Sequence, residues 1–244
     1  MLATIRALVA ALALAPALTF ALPAQSPAPV ATAPAADTVG DLPLTEVPAR
    51  AQGGALLGVI LTGDGGFATL DKLLADSMAA RGIPVVALDS RAYLTSGHRT
   101  ADGASRDLER ILRHYLSTWG KSRVLLVGYS RGADLLPFMA SRLPTELFGR
   151  IDEVAMLGLA PNANFTFHLV DLISNHKRKD DLPTVPEVAK LRGKRVLCFH
   201  GADEKESGCP ALPADVATVV EMPGGHHFGG RYGEIATRIL DGVR

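Results

Sequence analysis

The run Val124-Leu125-Leu126-Val127-Gly128-Tyr129-Ser130-Arg131-Gly132 constrains the fold of this chain more than any other stretch. Four apolar residues suited to a buried strand lead straight into Gly-x-Ser-x-Gly. A helical spacing then begins, with Leu135, Leu136, Met139 and Leu143 at steps of one, three and four. Strand, glycine-flanked serine and helix together are the setting of a nucleophile elbow. The serine there occupies a turn so tight that side chains two positions away would collide with strand or helix. Outside such a setting the motif marks only a strand-to-helix turn with a small residue at its tip.

The rest of the chain alternates around this point. Residues 41–47 carry Pro43 and are at most an edge strand. Residues 56–61 predict a buried strand, which ends in Thr62-Gly63-Asp64-Gly65-Gly66. Residues 69–81 have helical spacing, and Gly82 is a natural stop. A second strand is predicted at 83–88, a long polar loop at 89–100 and an amphipathic helix at 107–119. Further strands are predicted at 154–159, 196–199 and 216–220, and a closing helix at 232–240. This order predicts an α/β domain over 41–244, with a mainly parallel sheet and helices on both faces. Residues 160–194 exceed what a crossover needs, and could build a cap or lid over the site.

Before that domain, residues 1–24 read as a secretion signal. Arg6 supplies a positive start, an apolar run follows, and Ala21 or Ala24 offers a cleavage point. Residues 25–40 are a Pro/Ala-rich flexible spacer. Export implies a periplasmic or secreted protein in oxidising surroundings, where Cys198 and Cys209 read as a disulfide clipping a polar loop. With 25 basic and 25 acidic residues the formal charge is zero. That balance gives no electrostatic argument for nucleic acid, and leaves peripheral contact with a membrane open.

A serine hydroxyl becomes a nucleophile when a base takes its proton and a third group holds that base. Beyond Ser130, the strand at 196–199 runs on into Gly201-Ala202-Asp203-Glu204. Loop spacing favours Glu204 as the acid and residue type favours Asp203, so both stand. The next strand runs into Pro223-Gly224-Gly225-His226-His227-Phe228. His226 fits the Gly-Gly-His-aromatic form, and His227 is the alternative base. Serine, acid, histidine is the chain order of an α/β-hydrolase. Backbone N–H groups of Arg131 and of Asp64 or Gly65 are the candidates for an oxyanion hole. The side chains of Asp64 and Arg131 could meet a cationic amine and a phosphate, or equally pair with each other. His168 could line the insertion or simply pack. His98, His114, His176 and His200 receive no role.

These segments resemble the VirJ/AcvB family of bacterial periplasmic proteins. The resemblance is carried by LTGDGG (61–66), ARGIPVVALDS (80–90), RVLLVGYSRGADLLPF (123–138), the segment between the cysteines, PGGHHF (223–228) and DLPLTEVPA (41–49). Where Arg131 stands here, the family more often has an apolar or aromatic residue. The resemblance implies a single α/β-hydrolase-like domain linked to virulence and type IV secretion. It also implies hydrolysis of an aminoacylated lipid, lysyl-phosphatidylglycerol, with Ser130 as nucleophile, Asp203 or Glu204 as acid and His226 or His227 as base. No metal or organic cofactor is called for. The rival expectation is a non-catalytic periplasmic factor that binds secretion proteins on a hydrolase scaffold.

Overall fold

The computed structural model describes residues 38–51, 53–166 and 179–243. The secretion-signal segment, the spacer up to residue 37 and His168 lie outside the described residues.

Six apolar positions in a row cannot be divided between a wet and a dry face, and β2 (Leu56–Leu61) is buried at all six. Such a strand belongs in the middle of a parallel sheet covered on both sides. β3 (Val85–Leu88) lies parallel on one flank of it and β4 (Arg123–Tyr129) on the other. β5 (Ile151–Leu157), β8 (Arg195–Gly201) and β9 (Thr218–Met222) extend the sheet in parallel beyond β4. β1 (Leu44–Val47) closes the far edge antiparallel to β3. The order is β1-β3-β2-β4-β5-β8-β9, the mainly parallel sheet that the alternation predicts.

Side chains of β2 divide between two cores. Leu56 and Ile60 face a layer formed by α1 (Thr69–Ala80) and α7 (Tyr232–Leu240), whose Leu74, Met78, Ile235 and Ile239 are buried. Leu57, Val59 and Leu61 face α3 (Ala101–Thr118) and α4 (Arg131–Ala140), which bury Leu108, Ile111, Leu135 and Met139. Each such side chain contributes about 1.5–3 kcal/mol on burial, so β2 ties both cores to the sheet.

The predicted loop at 89–100 contains a helix, α2 (Ser90–Thr95). Asp89 starts it by accepting a hydrogen bond from Ala92 N at 2.9 Å, and Tyr93 and Leu94 anchor it in the core. Polar flanks on both sides hide those two anchors in the sequence. α3 likewise begins six residues before its predicted start, because Thr100 Oγ1 caps it through Gly103 N at 3.0 Å. A short α5 (Thr145–Gly149) follows α4 and had no sequence signal.

In the insertion, β6 (Asn162–Ala163) and β7 (Leu182–Pro183) form an antiparallel pair, followed by α6 (Thr184–Val188). Buried Glu187 of α6 accepts hydrogen bonds from Ser141 and Arg142, just past the end of α4. The described part of the insertion is therefore tied to α4.

Cys198 in β8 and Cys209 form the disulfide expected from the sequence, eleven residues apart and both buried. Replacing both by alanine is expected to cost about 2–4 kcal/mol, at about 2–4 °C of melting temperature per kcal/mol. Thermal unfolding of the double variant checks this, and an unchanged melting point would contradict it.

Candidate active site

β2 and β4 are neighbours, yet the chain leaves their C-terminal ends in opposite directions. β2 connects through α1 to β3, and β4 through α4 to β5. That divergence opens a crevice beyond the strand ends, where open α/β sheets take their ligands. Ser130 stands directly after β4, and Gly63 to Gly66 directly after β2.

Ser130 has φ 51° and ψ −119°, a conformation that a non-glycine residue holds only where its surroundings impose it. Here Ser130 N donates to Leu157 O at 2.8 Å, and Asp134 N donates to Ser130 O at 3.1 Å. α4 then runs back across β2 so closely that a Cβ on Gly132 would lie 2.0 Å from Leu61 O. A Cβ on Gly128 would lie 2.5 Å from Gly132 O. The two glycines of the motif are thus required by contact between backbones.

His226 Nε2 lies 2.8 Å from Ser130 Oγ, and its Nδ1 lies 2.5 Å from Glu204 Oε1. Glu204 closes a turn after β8, with its N–H donating to Gly201 O at 3.0 Å. The turn folds its largely buried carboxylate inward, where Oε2 accepts from Gly201 N at 3.2 Å. Asp203 sits on the outside of the same turn and is exposed. His227 is also exposed, and its Nδ1 meets Tyr129 OH at 2.8 Å. Ser130, His226 and Glu204 are therefore brought together, whereas Asp203 and His227 stand apart from that chain of hydrogen bonds.

Two supports of the His226 ring carry no sequence signal of their own. Tyr129 stacks on it, with centroids 5.6 Å apart and planes at 26°. Gly158, at φ 70°, passes so near that a Cβ would lie 2.5 Å from His226 Cε1. Asp134, which burial pushes up to about 7, steadies the same segment by accepting from Ala160 N at 2.7 Å.

The hydrogen bond to Glu204 raises the His226 pKa above its ordinary value, against the opposing effect of burial. Burial alone would raise the Glu204 carboxyl, but hydrogen bonds from His226 and Gly201 N outweigh it and hold the group low. A base must be neutral to accept a proton, so the activity proposed below should fall as pH drops through the raised His226 pKa. In Glu204→Gln that acidic limb should move to lower pH, while kcat falls by about 10³- to 10⁴-fold. Asp203→Asn should leave the profile in place. Rate profiles of the two variants against pH check this; a larger loss in Asp203→Asn would reverse the assignment.

Gly63, Asp64, Gly65 and Gly66 share a cavity of about 320 Å³ with Ser130, His226 and Tyr129. Asp64 and Gly65 thus line the same space as the serine, and Arg131 is the first residue of α4. The side chains of these two candidates pair with each other, Arg131 Nε to Asp64 Oδ1 at 3.5 Å, with Arg131 largely buried. Of the two readings of these charges, mutual pairing is the one observed. None of the described residues of the insertion lines this cavity. Among the described residues no group of three His, Cys, Asp or Glu gathers as a metal site. No helix among them is long and apolar enough to cross a membrane.

Asp71, in the first turn of α1, lines the same cavity. An acid in that position reads in sequence as an ordinary partner of the helix dipole, so nothing in the sequence distinguishes it. Its carboxyl is nevertheless buried, and that burial pushes it up to about 7.

A family model described as bacterial virulence protein (VirJ) matches residues 55–244. No protein of curated function matches in sequence. Among solved structures, an α/β serine hydrolase homologue from Coxiella burnetii is 18% identical, with a TM-score of 0.57 over 82% of this chain and 91% of that one. Est1E from Butyrivibrio proteoclasticus, seen with ferulic acid bound, is 12% identical, with a TM-score of 0.57 over 82% and 93%. A lidless α/β serine hydrolase from Xanthomonas campestris is 15% identical, with a TM-score of 0.54 over 82% and 87%. At these identities the likeness shows an α/β-hydrolase fold.

Proposed function

The chain belongs to the VirJ family of bacterial virulence proteins, and from that premise we propose that it is an exported serine esterase acting on an aminoacylated phospholipid. Lysyl-phosphatidylglycerol is the substrate that the family resemblance implies. The observation that carries the reading is the hydrogen-bonded chain from Ser130 Oγ through His226 to Glu204.

In this reading His226 Nε2 takes the proton of Ser130 as Oγ attacks the ester carbonyl. Glu204 keeps Nδ1 protonated and stabilises the imidazolium that forms. Backbone N–H groups of Arg131 and of Asp64 or Gly65 receive the oxyanion. Collapse of the tetrahedral intermediate breaks the bond to the lipid alcohol, which leaves with the proton from His226. The aminoacyl group remains on Ser130 until a water, deprotonated by His226, releases the free amino acid.

The cavity is at the small end of the range of ligand pockets, about 300–1,000 Å³. That size suits an aminoacylated head group, with the fatty chains left outside in the membrane. The buried disulfide is compatible with export.

The test is release of free lysine from vesicles containing lysyl-phosphatidylglycerol. Wild type should release it and Ser130→Ala should not. Folded wild type that hydrolyses simple esters but leaves this lipid intact would overturn the substrate. Wild type that hydrolyses no ester, while Ser130→Ala keeps the full biological effect, would favour a non-catalytic role among secretion proteins.

A further inference from the structure

Two of the acids at the site have a counter-charge. Asp64 is paired with Arg131, and Glu204 with His226. Asp71 has none. It lines the cavity at 2% exposure; its Oδ1 has no hydrogen-bond partner among the described residues, and its carboxyl otherwise meets backbone N–H groups, Ala68 N at 3.4 Å from Oδ2 and its own. The charged neighbour that acts on it is another carboxylate, Asp89, which is engaged in capping α2. A buried carboxyl with an unmet oxygen carries a large desolvation cost, which a proton or an arriving cation relieves. Tyr129 and Tyr232 line the same cavity and offer aromatic walls to a cation.

Granted the esterase reading of this cavity, on which the assignment rests, we propose that Asp71 makes an ammonium subsite within reach of Ser130. The preferred ester is then one whose acyl group carries a positive charge. Asp71 contributes no proton to the reaction; it selects among acyl groups. A neutral acyl group entering the cavity would leave the carboxyl unmet, and an anionic one would be repelled by it.

The test compares two p-nitrophenyl esters of equal acyl length, one ending in an ammonium and one in a methyl group. Wild type should favour the ammonium ester in kcat/KM. In Asp71→Asn the preference ratio should fall by about 10- to 100-fold, the range expected for a charge-assisted hydrogen bond. Using the ratio cancels any effect common to both esters, including titration of His226. Should the variant not fold, hydrolysis of the neutral ester by wild type in the presence of butylammonium or butanol replaces it. Competitive inhibition by butylammonium alone supports the subsite, and equal inhibition by both overturns it. Wild type without preference, or a ratio unchanged in Asp71→Asn, also overturns it while leaving the esterase reading standing. Wild type that turns over neither ester would sink both.

Discussion

Ser130→Ala is expected to lower kcat for ester hydrolysis by about a million-fold, the loss seen when the nucleophile of such a triad is removed. The variant keeps a Cβ at the same backbone position and gives up one hydrogen bond, that to His226. Its stability should therefore stay within about 1 kcal/mol of wild type. The three groups act as a unit, so adding His226→Ala should cost little more. Kinetics of the single and double variants on one ester, with thermal unfolding as the control for folding, read this directly. If the two losses multiplied, the serine and histidine would be acting independently, and the hydrogen-bonded chain would not be the catalytic unit.

Gly132→Ala should have the largest effect on stability. Its new Cβ would lie 2.0 Å from Leu61 O, 2.5 Å from Leu61 C and 2.8 Å from Thr62 O. All three atoms belong to backbone at the end of β2 or just beyond it, so no flexible side chain can swing aside. α4 would have to lift from the sheet, separating Ser130 from the glycine turn that follows β2. Overpacking of this kind costs about 1–3 kcal/mol and occasionally more; rigid backbone on the receiving side puts this case at the top of that range or above. At about 2–4 °C per kcal/mol, the variant should melt well below wild type and lose esterase activity with it. Gly149→Ala, where an added Cβ meets nothing within 4 Å, is the control and should melt near wild type. Equal melting of Gly132→Ala and wild type would mean that the close crossing of α4 over β2 is not tight.

The features that sequence pattern makes legible are those with long, unbroken periodicity. β2 and α7 have the predicted boundaries because six consecutive apolar residues and a clean amphipathic face leave no competing reading. α2 escapes because its two buried apolar residues, Tyr93 and Leu94, are too few to set a period and lie among polar neighbours. The elbow is legible because Gly128 and Gly132 are demanded by backbone contact at fixed spacing. The choices between Asp203 and Glu204, and between His226 and His227, are not legible. Adjacent residues share every linear property, and only the turn after each strand decides which of them faces inward. Asp71 is hidden for another reason. Its setting depends on α1 and β4 converging on one cavity, and that convergence is a property of the sheet order rather than of any local motif.

The central claim is that Ser130 is an activated nucleophile. Labelling of the intact protein by a fluorophosphonate probe tests it most directly, because the probe reacts with the serine whatever the natural substrate is. Wild type should be labelled covalently at Ser130, Glu204→Gln more slowly, and Ser130→Ala not at all. Folded wild type that takes up no label, or equal labelling of Ser130→Ala, would contradict the account.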